Sequence, residues 1–313
     1  MEHGSRKNNI CFDCFILLIY CAAVNIIEPF LALTSYYFGI HPLLAGLDPI
    51  GMKRTDLDYF KRWFKEYVAQ FYQLPHGKIR PIIMKEKHTQ RTCEEILLLG
   101  RDCGLSGEDL LLAETAALLH DIGRFPQWKR YSTFVDSTSE DHALLGLEVI
   151  SHHQVLMRLS PEQRGVIQRA IRHHNLRELP TNLSLRQLLF SRLLRDADKL
   201  DIWRVVIRQQ EGSSDLAEAL LADIPLSNSY SSEILADLRE MRAPGFSSVR
   251  NQNDMILLRL GWIFDLNFAT SCQLVLERNY IERLCSQLPV NKEIEQLKKS
   301  LTLHLRNRIN RGF

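Results

Sequence analysis

The sequence predicts an all-α protein. From Met52 onward, apolar residues recur at the spacing of helix faces, and glycine or proline residues separate the apolar runs. Several of these runs also begin with a helix-capping pattern. No segment shows the sustained apolar–polar alternation that is typical of a half-buried strand. We therefore expect a helical bundle that is followed by further helices.

The first three helices follow from periodicity and capping. MKRTDLDYFKRWFKEYVAQFY, which begins at Met52, is amphipathic and predicts the first helix. A second helix is predicted to begin near Pro81, and its buried stripe is formed by Met84, His88, Thr92, Ile96, Leu99 and Cys103. The third, Leu110–Leu119, is apolar on almost every side and should be central. A capping box from Ser106 to Asp109 precedes it.

The next three helices have equally clear starts. The fourth places His142 and Gly146 on one face, where the glycine allows another backbone to approach closely. The fifth follows Ser160, with a proline in its first turn and a glutamine as capping partner. The sixth, LRQLLFSRLLRDADKLDIWRVVI, can start from Asn182 or Ser184.

The C-terminal third continues as helices and predicts an extension of the bundle. From about Ser231, helical spacing runs through LRLGWIFDLNFA, CQLVLERNYIERLCSQL and EIEQLKKSLTLHLRNRI. No linker-like segment and no internal repeat interrupts this part of the sequence. We expect one all-α domain at residues 52–210 and a helical extension, packed on it, at residues 211–313.

Composition and charge exclude some classes of protein. The chain has 313 residues, of which 45% are hydrophobic and 24% are charged, as in ordinary globular proteins. A net charge of +2 gives no general attraction to nucleic acid, so no nucleic-acid partner is indicated. The seven cysteines are scattered and odd in number, which favours reduced thiols and a cytoplasmic location.

The N-terminal segment, residues 1–51, has three interpretations. Cys14–Ile27 is the most hydrophobic stretch, but it is shorter than the roughly 20 residues of a membrane-spanning helix. Pro29 interrupts the apolar run shortly afterwards. The segment is a membrane anchor, a signal peptide, or a spurious upstream stretch before a working start at Met52, which is our preferred interpretation. Membrane contact is expected only if residues 14–40 are a real anchor.

Histidines and acids recur where the predicted helices present partly apolar surfaces. They are His88, His120, Asp121, His142, His173, His174 and Asp198, with Asp196 and Asp201 on either side of the last. Burying so many ionisable groups without partners would cost several kcal/mol each. A shared metal centre removes this cost, because imidazole and carboxylate groups both bind divalent ions.

The order of these residues resembles the HD superfamily of metal-dependent phosphohydrolases. His88, then the pair His120-Asp121, then Asp198 match the family's order, over roughly Pro81 to Trp203. HDIG, which begins at His120, is the form of the motif that names one subgroup. The resemblance implies an HD-domain helical bundle.

The resemblance also implies a set of ligands. His88, His120, Asp121 and Asp198 would surround one metal, and Asp198 is preferred to Asp196 because ADKL matches the family's terminal pattern. His142 and His173 would hold a second metal with Asp121 as the bridge, as in the cyclic-di-nucleotide phosphodiesterase branch. Whether His174 replaces or joins His173 stays open. The chain continues with NLRELP and lacks that branch's glycine-tyrosine-proline signature, so that branch's substrate is not implied.

The implied activity is hydrolysis of a phosphoester, in a nucleotide or a related small phosphorylated metabolite. Two divalent ions can acidify a shared water, and Asp121 and Arg124 are the expected catalytic residues. Lys129, Arg130 and Lys199 are weaker candidates for binding phosphate. We expect two metal ions, with manganese or iron preferred and cobalt, nickel, magnesium or zinc also compatible with the ligands.

Two other functions use the same residues. Some HD-fold proteins are di-iron oxygenases, similar to inositol oxygenase, and this sequence supplies the same count of histidines and aspartates. A non-catalytic regulatory HD domain is the third alternative, although such a domain is expected to have lost ligands. The sequence does not indicate an oligomeric state.

Overall fold

The computed structural model describes residues 51–208 and 224–311, and it contains no strand in these ranges. The predicted all-α class is confirmed. The α-helices are α1 (Arg54–Ala69), α2 (His76–Asp102), α3 (Gly107–Leu119), α4 (Arg124–Tyr131), α5 (His142–His152), α6 (Pro161–His173), α7 (Leu185–Arg208), α8 (Ser232–Arg239), α9 (Gln252–Gly261), α10 (Ala269–Glu277), α11 (Tyr280–Cys285) and α12 (Lys292–Arg311). Short 3₁₀ turns link several of them, among them Trp262–Asp265.

Three predicted helices differ from those expected. LRLGWIFDLNFA is α-helical only as far as Gly261, where α9 ends, and continues as the 3₁₀ turn Trp262–Asp265. α2 begins at His76, so Pro81 lies inside the helix and removes one backbone hydrogen bond without ending it. CQLVLERNYIERLCSQL forms two helices instead of one. The break falls at Asn279, whose φ of 55° is left-handed, a conformation that asparagine tolerates better than most residues.

The predicted caps are present in two of three helices. Ser160 and Gln163 form a reciprocal capping box at the start of α6. Ser184 accepts a hydrogen bond from the amide of Gln187 and starts α7. Ser106 occupies the N-cap of α3, but its side chain accepts no capping bond. The next residue, Gly107, has a φ of 50°, so the chain does not enter α3 by the usual extended-to-helical path.

The core lies around α3. Every residue from Leu112 to Leu119 is buried, as the apolar character of this helix predicted. α2, α6 and α1 pack against α3, and α7 packs against α2 and α6. Most buried apolar side chains between Met52 and Leu305 form one cluster, so the bundle and the C-terminal helices share a core. α3 therefore ends deep inside the molecule.

The C-terminal helices contact the bundle mainly through α7. α10 and α11 pack against α7, and α12 packs against α10 and α11. An ion pair between Glu95 and Arg278 adds a contact to α2. The expected boundary between residues 210 and 211 falls within 209–223, outside the described residues, so the proposed division of the chain stays a prediction.

The three interpretations of the N-terminal segment stay open, because residues 1–50 lie outside the described part. Within residues 51–208 and 224–311, no helix combines the length and apolarity needed to span a bilayer. Four cysteines in these ranges are free thiols: Cys93, Cys103, Cys272 and Cys285. Cys103 is exposed, although the predicted stripe of α2 placed it on the buried side.

Candidate metal centre

Six side chains from five parts of the bundle converge at the end of α3. They are His88 of α2, His120 and Asp121 of the turn after α3, His142 of α5, His174 at the end of α6, and Asp198 of α7. Within each potential ligand group that they form, the ligand atoms lie within 4.8 Å of one another. All six except Asp198 are buried residues, so the cluster has the composition and compactness of a metal site.

Two glycines bring the His-Asp turn against α5. A Cβ atom on Gly123 would lie 2.2 Å from the carbonyl oxygen of His142 and 2.6 Å from the amide nitrogen of Gly146. A Cβ on Gly146 would lie 3.3 Å from the amide nitrogen of Gly123. The close backbone approach expected at Gly146 is therefore present, and it holds Asp121 beside the start of α5.

The first half of the cluster is formed by two histidines and two aspartates. Asp121 Oδ2 lies 3.5 Å from His88 Nε2 and 3.6 Å from His120 Nε2. Asp198 Oδ1 lies 3.0 Å and 3.6 Å from the same two nitrogens. We call these four residues the first half-site.

The second half uses the other oxygen of the same aspartate. Asp121 Oδ1 lies 3.5 Å from His142 Nε2 and 4.0 Å from His174 Nε2. These two nitrogens are only 2.9 Å apart. We call Asp121, His142 and His174 the second half-site. Each carboxylate oxygen of Asp121 thus faces one half-site, which is the arrangement of a bridging ligand.

Each histidine is oriented through its Nδ1 atom. Nδ1 of His88 lies 2.7 Å from Asp201 Oδ2, and Nδ1 of His142 lies 2.6 Å from Asp136 Oδ2. The Nδ1 atoms of His120 and His174 lie 2.7 Å from the carbonyl oxygens of Ala117 and Ile171. Because these partners are acceptors, the protons belong on Nδ1, and the Nε2 atoms point into the cluster.

The arrangement of the Nε2 atoms favours metal binding over hydrogen bonding between the imidazole rings. In neutral rings with protonated Nδ1 atoms, the Nε2 atoms of His142 and His174 present lone pairs to each other across 2.9 Å. The Nε2 atoms of His88 and His120 are buried, and neither has a hydrogen-bond partner in the described part of the chain. A divalent ion in each half-site would satisfy these nitrogens.

The electrostatics keep three of the ligands, Asp121, His142 and His174, in their metal-binding forms. Burial, together with the neighbouring His142 and His120 rings, lowers the pKa of His174 to about 3. Burial and the Arg124 guanidinium lower the pKa of His142. Burial alone would raise the pKa of Asp121, but Lys85, His120 and Arg124 hold it well below its usual range. Neutral imidazoles and an ionised carboxylate are the species that bind metals.

His173 does not join the cluster, and the structure places His174 there instead. Successive residues on a helix point about 100° apart, so only one of two adjacent histidines at the end of α6 can face Asp121. The choice of His173 is therefore corrected in favour of His174. Asp196 also points elsewhere: its carboxylate accepts from the side chain and the backbone amide of Asn267.

Three residues near the cluster were not predicted to orient or contact the ligands. Asp136 and Asp201 orient histidines, and Lys85 Nζ lies 2.6 Å from Asp121 Oδ2. Lys85 precedes His88 by three residues, so helical spacing places both on one face of α2, a signal that could have identified it. Asp136 begins the 3₁₀ turn Asp136–Thr138 and has no comparable signal.

Arg124, which was predicted to be catalytic, lies beside the cluster, but its guanidinium already forms hydrogen bonds within the protein. Its Nη1 donates to Gln127, to the Phe134 carbonyl and to Asp136, and its Nε lies 3.5 Å from Asp121 Oδ1. The weaker candidates lie elsewhere. Lys199 Nζ is 2.7 Å from Asp265, and Lys129 and Arg130 are exposed.

Comparison with protein families agrees with the site. Residues 86–203 match the family model described as HD domain, and this range includes all six residues of the cluster. The match is to the domain as a whole, so the HDIG subgroup stays a prediction. Comparisons with curated proteins and with solved structures give no match.

Proposed function

We propose that this chain, whose residues 86–203 form an HD domain, is a metal-dependent phosphohydrolase acting on a small phosphorylated substrate. The observation that carries the proposal is the double contact of Asp121, whose two carboxylate oxygens face two separate sets of histidines. When bound, two divalent ions would acidify a shared water and neutralise charge on a phosphoryl group.

The candidate ligands are held in the orientation that metal binding requires before a substrate binds. Asp121 is fixed between α3 and α5, and its ionised carboxylate can bridge two cations. Four imidazoles are held with Nε2 inward by hydrogen bonds at Nδ1, so binding a metal requires little rearrangement. Asp198 completes the first half-site.

The exposed fractions of the side chains around the cluster indicate the side from which a substrate approaches. The histidine side chains and Asp121 are at most 3% exposed, whereas Asp198 is 15% exposed. The Lys85 and Arg124 side chains are 11% and 14% exposed. We infer that a phosphoryl group reaches the centre along this side, past the charged side chains of Lys85 and Arg124.

Lys85 is better placed than Arg124 to bind that phosphoryl group. An ammonium has three donors, and among the described residues the Lys85 ammonium has one hydrogen-bond acceptor, Asp121. The Nη1 group of Arg124 instead already donates to Asp136 and to neighbouring groups. We therefore assign phosphate binding to Lys85, and to Arg124 the support of Asp136 and His142.

The di-iron oxygenase alternative rests on the same ligands, since four histidines and two aspartates converge here. Iron content and substrate-dependent oxygen consumption distinguish it from hydrolysis. The hydrolase is favoured because Lys85 and Arg124 place positive charge beside Asp121, where a phosphoryl group needs electrostatic stabilisation.

The test is a phosphoester panel with the full chain loaded separately with manganese and with iron. We expect phosphate release from at least one nucleotide or small phosphate ester, which stops after chelation and is lost in Asp121→Asn. Oxygen consumption by the iron-loaded protein, with no phosphate release from any ester, would overturn the assignment.

A further inference from the structure

A buried arginine of α7 holds the carboxyl end of α6. Arg195 is 3% exposed, and its Nη1 donates to the carbonyl oxygens of His173, at 3.1 Å, and of Leu176. Its Nη2 donates to the carbonyl oxygen of Arg177 at 3.3 Å. The last carbonyl groups of a helix have no partner within the helix, so Arg195 fixes both the end of α6 and the turn that follows it.

Asp265 holds this arginine in place. Its Oδ2 accepts from Arg195 Nη2 at 2.5 Å and from Lys199 Nζ at 2.7 Å. Asp265 is the last residue of the 3₁₀ turn Trp262–Asp265 and lies outside the HD match at 86–203. The C-terminal part of the chain therefore contributes a carboxylate that contacts Arg195, and Arg195 in turn contacts the residues on either side of His174.

We propose that Arg195 and Asp265 are positioning residues that hold His174 against Asp121 and so build the second half-site. One of the three carbonyl groups that accept from Arg195 belongs to His173, the residue directly before His174. A rotation of about 100° at this point would exchange the two histidines. The proposal rests on the metal centre of the proposed function, but not on its substrate or on hydrolysis.

The first half-site has an equivalent pair, which provides a matched control. Arg91 donates to Asp201 through Nε at 2.5 Å and through Nη2 at 2.9 Å. Asp201 in turn lies 2.7 Å from His88 Nδ1. An arginine–aspartate pair thus supports each half-site, although Asp201 contacts a ligand ring directly whereas Asp265 acts through Arg195. The two pairs share no residue.

The experiment is a calorimetric titration of the metal-stripped full chain with Mn²⁺. We expect Asp265→Asn to weaken only the second half-site, roughly 10- to 100-fold, as for other residues that orient metal ligands. Arg195→Lys keeps the charge but cannot reach all four acceptors, so it should give an intermediate loss. Asp201→Asn should weaken only the first half-site.

The two half-sites are identified by removing one ligand from each. In a His142→Ala background, which lacks the second half-site, Asp265→Asn should have no further effect on the remaining metal. In a His88→Ala background it should weaken the remaining metal by the same factor as in the wild type.

Two outcomes would overturn the proposal in distinguishable ways. If the wild type binds two ions and Asp265→Asn leaves both constants unchanged, or lowers both equally, the positioning role is contradicted while the metal centre stands. A merely structural role predicts such an outcome, with a lower melting temperature as the main effect. If the wild type binds no ion, the metal centre itself fails.

Discussion

Asp121 is the residue on which both half-sites depend. Asparagine in its place offers one oxygen and no charge, so it cannot bridge two cations. We predict that Asp121→Asn loses turnover and binds both metals at least tenfold more weakly, as measured by titration. Asp196→Asn is the matched control, because Asp196 is near Asp198 in sequence but bonds to Asn267. Equal metal affinities in Asp121→Asn and the wild type would place the site elsewhere.

Alanine substitutions of Lys85 and Arg124 should have different effects on activity and metal content. Lys85→Ala removes a donor to the phosphoryl group and should cost roughly 2–4 kcal/mol in kcat/KM, by analogy with loss of one preorganised donor. Its metal content should be unchanged.

Arg124→Ala removes the charged donor to Asp136, so activity and metal occupancy of the second half-site should fall together. The sequence-based hypothesis, with Arg124 as the phosphate ligand, predicts instead an activity loss at constant metal content. Parallel measurements of kcat/KM and metal content on the two variants separate these accounts. Full activity in Lys85→Ala would contradict the role assigned to Lys85.

For single residues, the sequence could identify the types of ligand but not every ligand. His88, His120, Asp121, His142 and Asp198 were all predicted, and the structure brings them together. The choice between His173 and His174 depends on the rotation at the end of α6, which Arg195 and Asp265 determine from distant parts of the chain. Such long-range contacts leave no local pattern.

The contact between the His-Asp turn and α5 depends on having no side chain at Gly123. A Cβ there would lie 2.2 Å from a backbone oxygen, a distance that only backbone movement can relieve. We predict that Gly123→Ala lowers the melting temperature and weakens metal binding, because it moves Asp121 away from His142. Thermal unfolding and metal titration of the same sample measure both effects.

Gly165 in α6 is the control for this substitution. The nearest atom to a Cβ there would be Gln187 Nε2 at 3.9 Å, and Gly165 lies within a helix. Gly165→Ala should therefore be neutral, or stabilising by roughly 0.5–1 kcal/mol. A Gly123→Ala protein as stable as Gly165→Ala would contradict the close approach.

The helices themselves were largely predictable, because amphipathic periodicity and caps are local signals. α1, α3 and α6 follow the predicted pattern. The early start of α2 and the break at Asn279 were missed, since Pro81 is tolerated inside α2 and asparagine is only an occasional helix terminator.

In the molecule as a whole, the candidate ligands come from several helices, so metal binding would link these helices. Ligands that bind only the folded chain stabilise it by RT ln(1 + [L]/Kd), or about 2.7 kcal/mol at 100 times Kd. We predict that chelation lowers the melting temperature by several degrees and that adding metal restores it. His88→Ala/His142→Ala, which lacks one ligand of each half-site, should show a much smaller shift. An equal shift in both proteins would mean that the chelator acts elsewhere.

The most direct test of the shared-carboxylate centre is the metal content of the full chain at saturation, counted by elemental analysis after removal of unbound ions. The account predicts close to two divalent ions per chain in the wild type. It predicts close to one in His142→Ala, in which the first half-site stays intact. No tightly bound ion in the wild type, or equal content in the two proteins, would contradict it.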